Sequence, residues 1–174
     1  MVLVQHATAV GATAIAAYTD VRAGKIPNWL TYPLLVAGPL IFYLGMGRDG
    51  FTNSLLGFVA CGFVPFFMWR SRGLFGGDVK LFAGIGALTG VLVGIEVLFY
   101  SVCVAMLMAI GVLIKHRRLL VALGNIFFLA FNRFLPQRWR RSVRAELKHE
   151  IRIGVPIFVG TALAIVLRHP EWVG

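Results

Sequence analysis

Two aspartates, Asp20 and Asp78, stand out in a chain with few acidic residues. The 174-residue chain has seven Asp and Glu against seventeen Lys and Arg, and each of these two lies where a long apolar run meets a polar loop. An ionisable side chain at membrane depth is costly and usually faces the interior of a helix bundle or a watery cavity. Two such carboxylates that share a proton can activate water, because the ionised one accepts a proton from the water while the protonated one polarises a scissile carbonyl.

The loop before Asp78 is the first of two loops that would position this chemistry. Gly76 and Gly77 remove side chains at a place where a substrate backbone would approach. Lys80 follows two residues after Asp78, and we expect it to anchor the helix at the membrane interface or to tune the proton affinity of the pair. Two interpretations of Asp78 stay open at this point: a catalytic carboxylate, or a helix-end cap or ion-pair partner of Lys80.

The second loop that would position this chemistry follows Asp20. Gly24 and Pro27 predict a turn, and Asn28 is expected to cap the helix that follows. Asp20 itself could equally cap a helix end or pair with Arg22. Taken alone, these residues describe a well-formed loop and no more.

The elements that carry the two loops are predicted to be membrane helices. Hydrophobic residues make up 59% of the chain and charged residues 14%, against about 25% charged in a soluble domain, which excludes a water-soluble globule. Apolar runs near the ~20 residues of a spanning helix recur throughout, so the fold class is all-α, a polytopic membrane protein with a single domain over residues 1–174. Hydropathy predicts six spans, near residues 2–19, 29–46, 51–69, 79–94, 96–114 and 153–168.

The stretch 81–114 is predicted to be a hairpin. As one helix it would be about 51 Å long at ~1.5 Å per residue, too long for a hydrocarbon core of ~30 Å, so a turn is expected between Gly90 and Glu96. With the N-terminus outside, six spans then place fifteen of the seventeen Lys and Arg on cytoplasmic loops, as the positive-inside rule requires. This topology puts both termini outside the inner (plasma) membrane, and Asp20 and Asp78 together at its cytoplasmic face.

The net charge of +10 indicates the lipid bilayer as the partner and not nucleic acid, because the basic residues cluster between apolar runs. Residues 119–131 are apolar but short, and we expect a helix lying in the cytoplasmic interface there, with a re-entrant or spanning helix as the alternative. Cys61 and Cys103 lie within apolar stretches and are interpreted as small buried hydrophobes, so neither a disulfide nor a metal site is expected.

Both loops carry recognisable motifs. Asp20 with GKIPN at 24–28, and GGDVKL at 76–81, closely resemble the type IV prepilin peptidases, aspartic proteases of the GxGD membrane class. The resemblance extends over nearly the whole chain, including GVPI at 154–157. It implies that Asp20 and Asp78 are the catalytic aspartates, and that the substrate is a prepilin with a short basic leader before its hydrophobic N-terminal helix. It further implies cleavage at the cytoplasmic face with water as the nucleophile, so no cofactor is expected.

The chain departs from the family pattern at three places. Phe75 stands where the first glycine of the GxGD motif is expected, and Arg152 and Ile153 stand where Pro-Tyr is common. No N-terminal insertion with paired CxxC motifs is present, so the resemblance is to the compact, peptidase-only form associated with Flp or tight-adherence pili. Methylation of the new N-terminus with S-adenosylmethionine is therefore not expected.

Two functions of other classes remain as alternatives. A proton-coupled transporter would use the same aspartates to carry protons, but it would want acidic groups near mid-bilayer and broken helices there. A catalytically silent pilus assembly factor is the other, and Phe75 is the feature that favours it. Proton-linked flux in vesicles would identify the first, and normal pilus formation without either carboxylate would identify the second.

Overall fold

The computed structural model describes residues 2–71, 73–115 and 152–169. All the secondary structure in these ranges is helical, which confirms the predicted all-α class. The interfacial helix predicted at 119–131 lies outside the described residues. The helices are α1 (Val2–Ala23), α2 (Asn28–Arg70), α3 (Gly76–Lys115) and α4 (Gly154–Arg168).

Six separate spans, as predicted from hydropathy, are not supported. Within the described ranges two helices, α2 and α3, are long and apolar enough to cross a membrane, and α4 is a shorter apolar helix. The second and third predicted spans lie within α2, and the fourth and fifth within α3. Hydropathy separates these spans at polar residues, whereas the helical assignment continues and is interrupted by non-helical dihedral angles at one glycine in each: Gly47 (φ 64°, ψ −141°) and Gly90 (φ 80°, ψ 177°).

The chain folds back on itself at both interruptions. After the first, a Cβ on Gly50 would overlap the carbonyl oxygen of Phe42, and after the second, a Cβ on Gly94 would lie 3.0 Å from the Cα of Gly86. Residues eight apart in a continuous helix are separated by about 12 Å along its axis. These approaches therefore require a reversal, and the positive φ at each interruption is one that glycine adopts without steric cost.

The first part of α3 is the centre of the packing. Every residue from 81 to 90 is buried. Both parts of α2 lie against this segment, since a Cβ on Gly38 would overlap the backbone of Ala87, and one on Gly57 would overlap the backbone of Gly86. Ser54 adds a hydrogen bond from its hydroxyl to the Ala87 carbonyl (2.6 Å). The start of α3, where Asp78 lies, is thus held by a tightly packed helix.

Helices α1 and α4 run antiparallel. At one end the amide of Gly154 meets Asp20, and at the other the rings of His6 and His169 lie 5.3 Å apart. Arg168, the last residue of α4, forms a salt bridge with Glu96 of α3 (2.7 Å). The 15 residues of α4 correspond to about 22 Å. Asp20 and the Glu96 salt bridge are therefore at opposite ends of α4.

The chain divides into two compact units, Met1–Val104 with Arg152–Gly174, and Ala105–Ile151. The first unit contains α1, α2, α4 and the part of α3 up to residue 104, together with the packing just described. Of the second, the structure describes residues 105–115, which continue α3. A single membrane domain over residues 1–174 stays a prediction.

Candidate active site

The two aspartates, 58 positions apart in the sequence, line the same cavity. Both side chains are buried, with Asp20 8% and Asp78 3% exposed. The cavity has a volume of about 160 Å³, and a polar site needs only about 10–15 Å³ to hold one water. It therefore has room for water beside both carboxyl groups. Its lining residues are Asp20, Gly24, Lys25, Ile26, Phe75, Gly77 and Asp78.

Asp20 is positioned by the end of α1 and the start of α4. The amide of Gly24 donates to the Asp20 carbonyl (2.8 Å), and Gly24 has φ +65°, which together form the left-handed ending that glycine favours after a helix. The amide of Gly154, the first residue of α4, donates to Oδ2 of the Asp20 carboxylate (2.9 Å). Arg152 donates from Nη1 to the Asp20 backbone carbonyl. Asp20 thus has anchors in two helices.

Asp78 lies in the first turn of α3 and binds back to the residue before the helix. Its Oδ2 accepts from the amide of Phe75 (3.0 Å), while its own amide donates to the Phe75 carbonyl (3.1 Å). This is the reciprocal pattern of a helix N-terminus in which an acidic residue of the first turn caps the preceding amide. Because the bond uses only the backbone of Phe75, it requires no glycine at that position.

The two glycines before Asp78 have different surroundings. A Cβ on Gly77 would lie 3.1 Å from the Cβ of Ile26 and 3.3 Å from its carbonyl oxygen, both tighter than ordinary contact. A Cβ on Gly76 would meet only Nε1 of Trp69, at 3.7 Å. Gly77 is therefore the one that lets the start of α3 approach the loop between α1 and α2.

Lys80, Pro27 and Asn28 connect the starts of α2 and α3. Pro27, in an extended conformation, precedes α2 as its cap residue and makes no side-chain capping bond. The prediction that Asn28 caps this helix was wrong: Asn28 is already helical, and its Oδ1 accepts from Nζ of Lys80 (3.0 Å). Lys80 also donates to the hydroxyl of Tyr32 (3.1 Å) and lies 4.8 Å from its ring centroid. These contacts of Lys80 connect α3 with the start of α2.

Arg22, the other base beside the pair, lies over the ring of Tyr18, 5.4 Å from the centroid. The alternative in which Asp20 and Asp78 are surface ion-pair partners of Arg22 and Lys80 gains no support from these contacts. The helix-end cap alternative is correct for Asp78 as a local interaction, and it leaves the carboxyl group in the cavity.

A larger cavity of about 530 Å³ lies at the other end of α1 and α4, and sequence reasoning missed it. His6, Asn53, Thr89, Arg168 and His169 provide its polar lining together with Gln5. None of the described residues that line it is Asp or Glu, so it offers no carboxylate pair. Across the described ranges no group of three or more His, Cys, Asp and Glu could hold a metal ion.

Sequence reasoning also left the start of α4 without a role, although it singled out GVPI at 154–157. The structure places Gly154 against Asp20, with a would-be Cβ 2.8 Å from the Cβ of Asp20. Nothing in the local sequence specifies this partner, because the contact joins residues 134 positions apart.

The structure thus combines apolar helices long enough to span a membrane with two buried aspartates at one cavity. The model of the type IV leader peptidase family matches residues 7–110, more than half of the chain, and the chain belongs to that family. The match confirms the resemblance on which the sequence analysis relied, and it includes both aspartates but ends before α4. No curated protein and no solved structure matches the chain.

Proposed function

We propose that the protein is a membrane aspartic endopeptidase that removes the leader peptide of prepilin-like substrates at the cytoplasmic membrane face. The observation that supports this function best is that Asp20 and Asp78 line one cavity large enough for water. Membership of the type IV leader peptidase family supports a peptidase. The aspartic mechanism and the prepilin substrate are parts of the proposal.

The backbone anchors explain how the pair would work. Gly154 and Phe75 each donate an amide to Oδ2 of one aspartate, which fixes both carboxyl groups. In the proposed mechanism the pair holds one proton, as paired carboxylates in one active site do. The ionised member deprotonates water, and the protonated member polarises the scissile carbonyl.

In the membrane arrangement that fits this function, α2 and α3 each cross the membrane twice, and both termini lie outside. The 43 residues of α2 would extend about 65 Å as one straight helix, roughly twice a ~30 Å hydrocarbon core, so a reversal at Gly47 allows two crossings. The reversal at Gly90 does the same for α3. The aspartates then lie at the cytoplasmic end, and Glu96 with Arg168 at the outer end.

The substrate would lay its apolar helix beside the bundle with its leader in the cytoplasm. Phe75, at the cavity, is 51% exposed and offers an apolar surface next to the aspartates.

The test is cleavage of a co-expressed prepilin by single asparagine variants. Asp20→Asn and Asp78→Asn keep the size of the side chain and remove its proton chemistry, so each should lower the cleavage rate on the order of 10²–10⁴-fold. Asp49→Asn is the matched control, because Asp49 is an exposed aspartate beside the Gly47 interruption. Processing is followed by the size shift of the prepilin, and insertion by the amount of protein in the membrane fraction.

Normal processing by either site variant, with the protein inserted, would remove the aspartate pair from the mechanism. Loss of processing in Asp49→Asn as well would show that the assay reports folding. The account requires loss in the two site variants and wild-type processing in the control.

A further inference from the structure

Arg152 and Gly154, at the start of α4, both bind Asp20. Arg152 donates from Nη1 to the backbone carbonyl of Asp20, and Gly154 donates its amide to the carboxylate. The last carbonyls of a helix lack intrahelical partners, and a basic side chain there both supplies a donor and balances the negative end of the helix dipole. Arg152 thus completes the end of α1 at the residue that carries the candidate catalytic group.

The approach of α4 to Asp20 is closely fitted. A Cβ on Gly154 would lie 2.8 Å from the Cβ of Asp20 and 3.0 Å from its Oδ2, so no side chain fits between the two helices at this point. Nη1 of Arg152 lies 3.4 Å from where a Cβ on Gly24 would be, so the guanidinium crosses the turn that ends α1. These contacts hold the carboxylate in one place relative to the cavity.

The charged and titratable groups around Asp20 come from three elements. Asp78 of α3 shares its cavity, Lys25 of the loop before α2 lines that cavity, and Arg152, two residues before α4, binds its backbone. Arg22, on α1 itself, lies over Tyr18. The start of α4 adds the positive end of a helix dipole at Gly154, as the start of α3 does at Asp78. Arg152 binds Asp20 at its backbone carbonyl, and the carboxylate itself is bound by the Gly154 amide.

We infer that Arg152 is a positioning residue: by binding the carbonyl at the end of α1, it fixes Asp20 and its carboxylate against α4. In the reaction, one carboxylate of the pair accepts a proton as water forms its bond to the scissile carbonyl carbon, and the other donates its proton to the carbonyl oxygen. On collapse, the first returns a proton to the departing amine as the C–N bond breaks, and the second recovers its own. This inference rests on the proposed peptidase function.

Arg152→Gln and Arg152→Lys test this positioning role, because both lose the planar donor fork and only Lys keeps the charge. Cleavage of a prepilin peptide by the purified full chain gives kcat and KM for each variant. Loss of the bond between Arg152 and the end of α1 leaves the Asp20 carboxylate less precisely placed, so kcat of Arg152→Gln should fall about tenfold with KM within twofold. Arg152→Lys, whose ammonium can still donate a bond to the Asp20 carbonyl, should recover part of that loss.

The matched control is Arg22→Gln, which removes an exposed base at the same end of α1 that contacts Tyr18. Its kcat and KM should coincide with those of the wild type. If kcat of Arg152→Gln also equals that of the wild type, the inference about Arg152 is overturned while the peptidase function stands. If the wild-type chain and Asp49→Asn do not cleave at all, the proposed function fails first.

Should Arg152→Gln fail to insert, Arg152→Lys decides alone. It keeps the charge and loses the planar donor fork. A kcat below that of the wild type with KM unchanged supports the inference, and a kcat equal to wild type, or a loss confined to KM, contradicts it.

Discussion

At the scale of single residues, the candidate site depends on backbone amides that fix one oxygen of each carboxylate. Gly154 binds Asp20, and Phe75 binds Asp78. The departure of Phe75 from the family motif therefore does not remove this bond, since any residue supplies an amide. It changes the side chain instead, and places an exposed aromatic ring at the edge of the cavity.

The two glycines before Asp78 should respond differently to alanine. In Gly77→Ala the new Cβ presses on Ile26, and the loop must move by a few tenths of an ångström, so kcat should fall about tenfold. In Gly76→Ala the new methyl has only an ordinary contact, and removing a helical glycine should raise stability by up to about 1 kcal/mol with kcat unchanged. Peptide cleavage and thermal unfolding of the purified variants measure both effects. Equal losses in the two variants would contradict the assignment.

The residue types at the site were predictable from the sequence, but their partners were not. Scarcity of acids and position at the ends of apolar runs identified Asp20 and Asp78, and the structure brings both to one cavity. Asn28 has the side chain of a helix cap, yet it lies one position inside α2, where it binds Lys80 of another helix. A capping preference is local, whereas the partner of a side chain is set by which helices pack together.

At the scale of elements, helix positions were predicted well and helix continuity was not. The predicted limits near 2–19 and 153–168 agree with α1 and α4 to within a few residues. For α2 and α3, hydropathy measures how apolar a segment is and carries no information about dihedral angles. The backbone departs from the helix at Gly47 and Gly90, the first beside the predicted boundary and the second at the start of the expected hairpin.

Helix α4 contributes to the site in a way that only the fold shows. It lies beyond the part of the chain matched by the family model, yet its first residue binds Asp20. The end of α1 and the start of α3 therefore meet at one cavity, and the start of α4 binds the carboxylate that α1 supplies. Helices α1 and α3 supply the two carboxylates, and the starts of α3 and α4 supply the amides that bind them.

At the scale of the whole molecule, the account predicts which side of the membrane each loop faces. With Cys61 and Cys103, which are both free thiols, replaced by Ser, single cysteines at Lys25, Asp49 and Gly73 would report accessibility. These three positions are exposed. The cysteine at Asp49 should react with a membrane-impermeant maleimide from outside intact cells, and the other two only after permeabilisation. Labelling of Lys25→Cys from outside, with Asp49→Cys protected, would contradict the proposed topology.

The two ends of the molecule also differ in what holds them. At the end away from the aspartates, Arg168 and Glu96 form a salt bridge with both side chains more than a third exposed, and such pairs contribute roughly 0–1 kcal/mol. At the aspartate end the two carboxyl groups are buried and bound to backbone amides. The bonds that fix the two aspartates are thus less exposed to solvent than the salt bridge at the other end.

The central claim is that Asp20 and Asp78 act on one water as a unit, and the cleavage rate of the double variant tests it most directly. Groups that act as a unit are not additive: once one is lost, loss of the second costs little more. We predict that kcat/KM of Asp20→Asn/Asp78→Asn, measured in membranes beside the two single variants, lies within about threefold of the weaker single variant. A double variant whose loss equals the product of the two single losses would contradict the account.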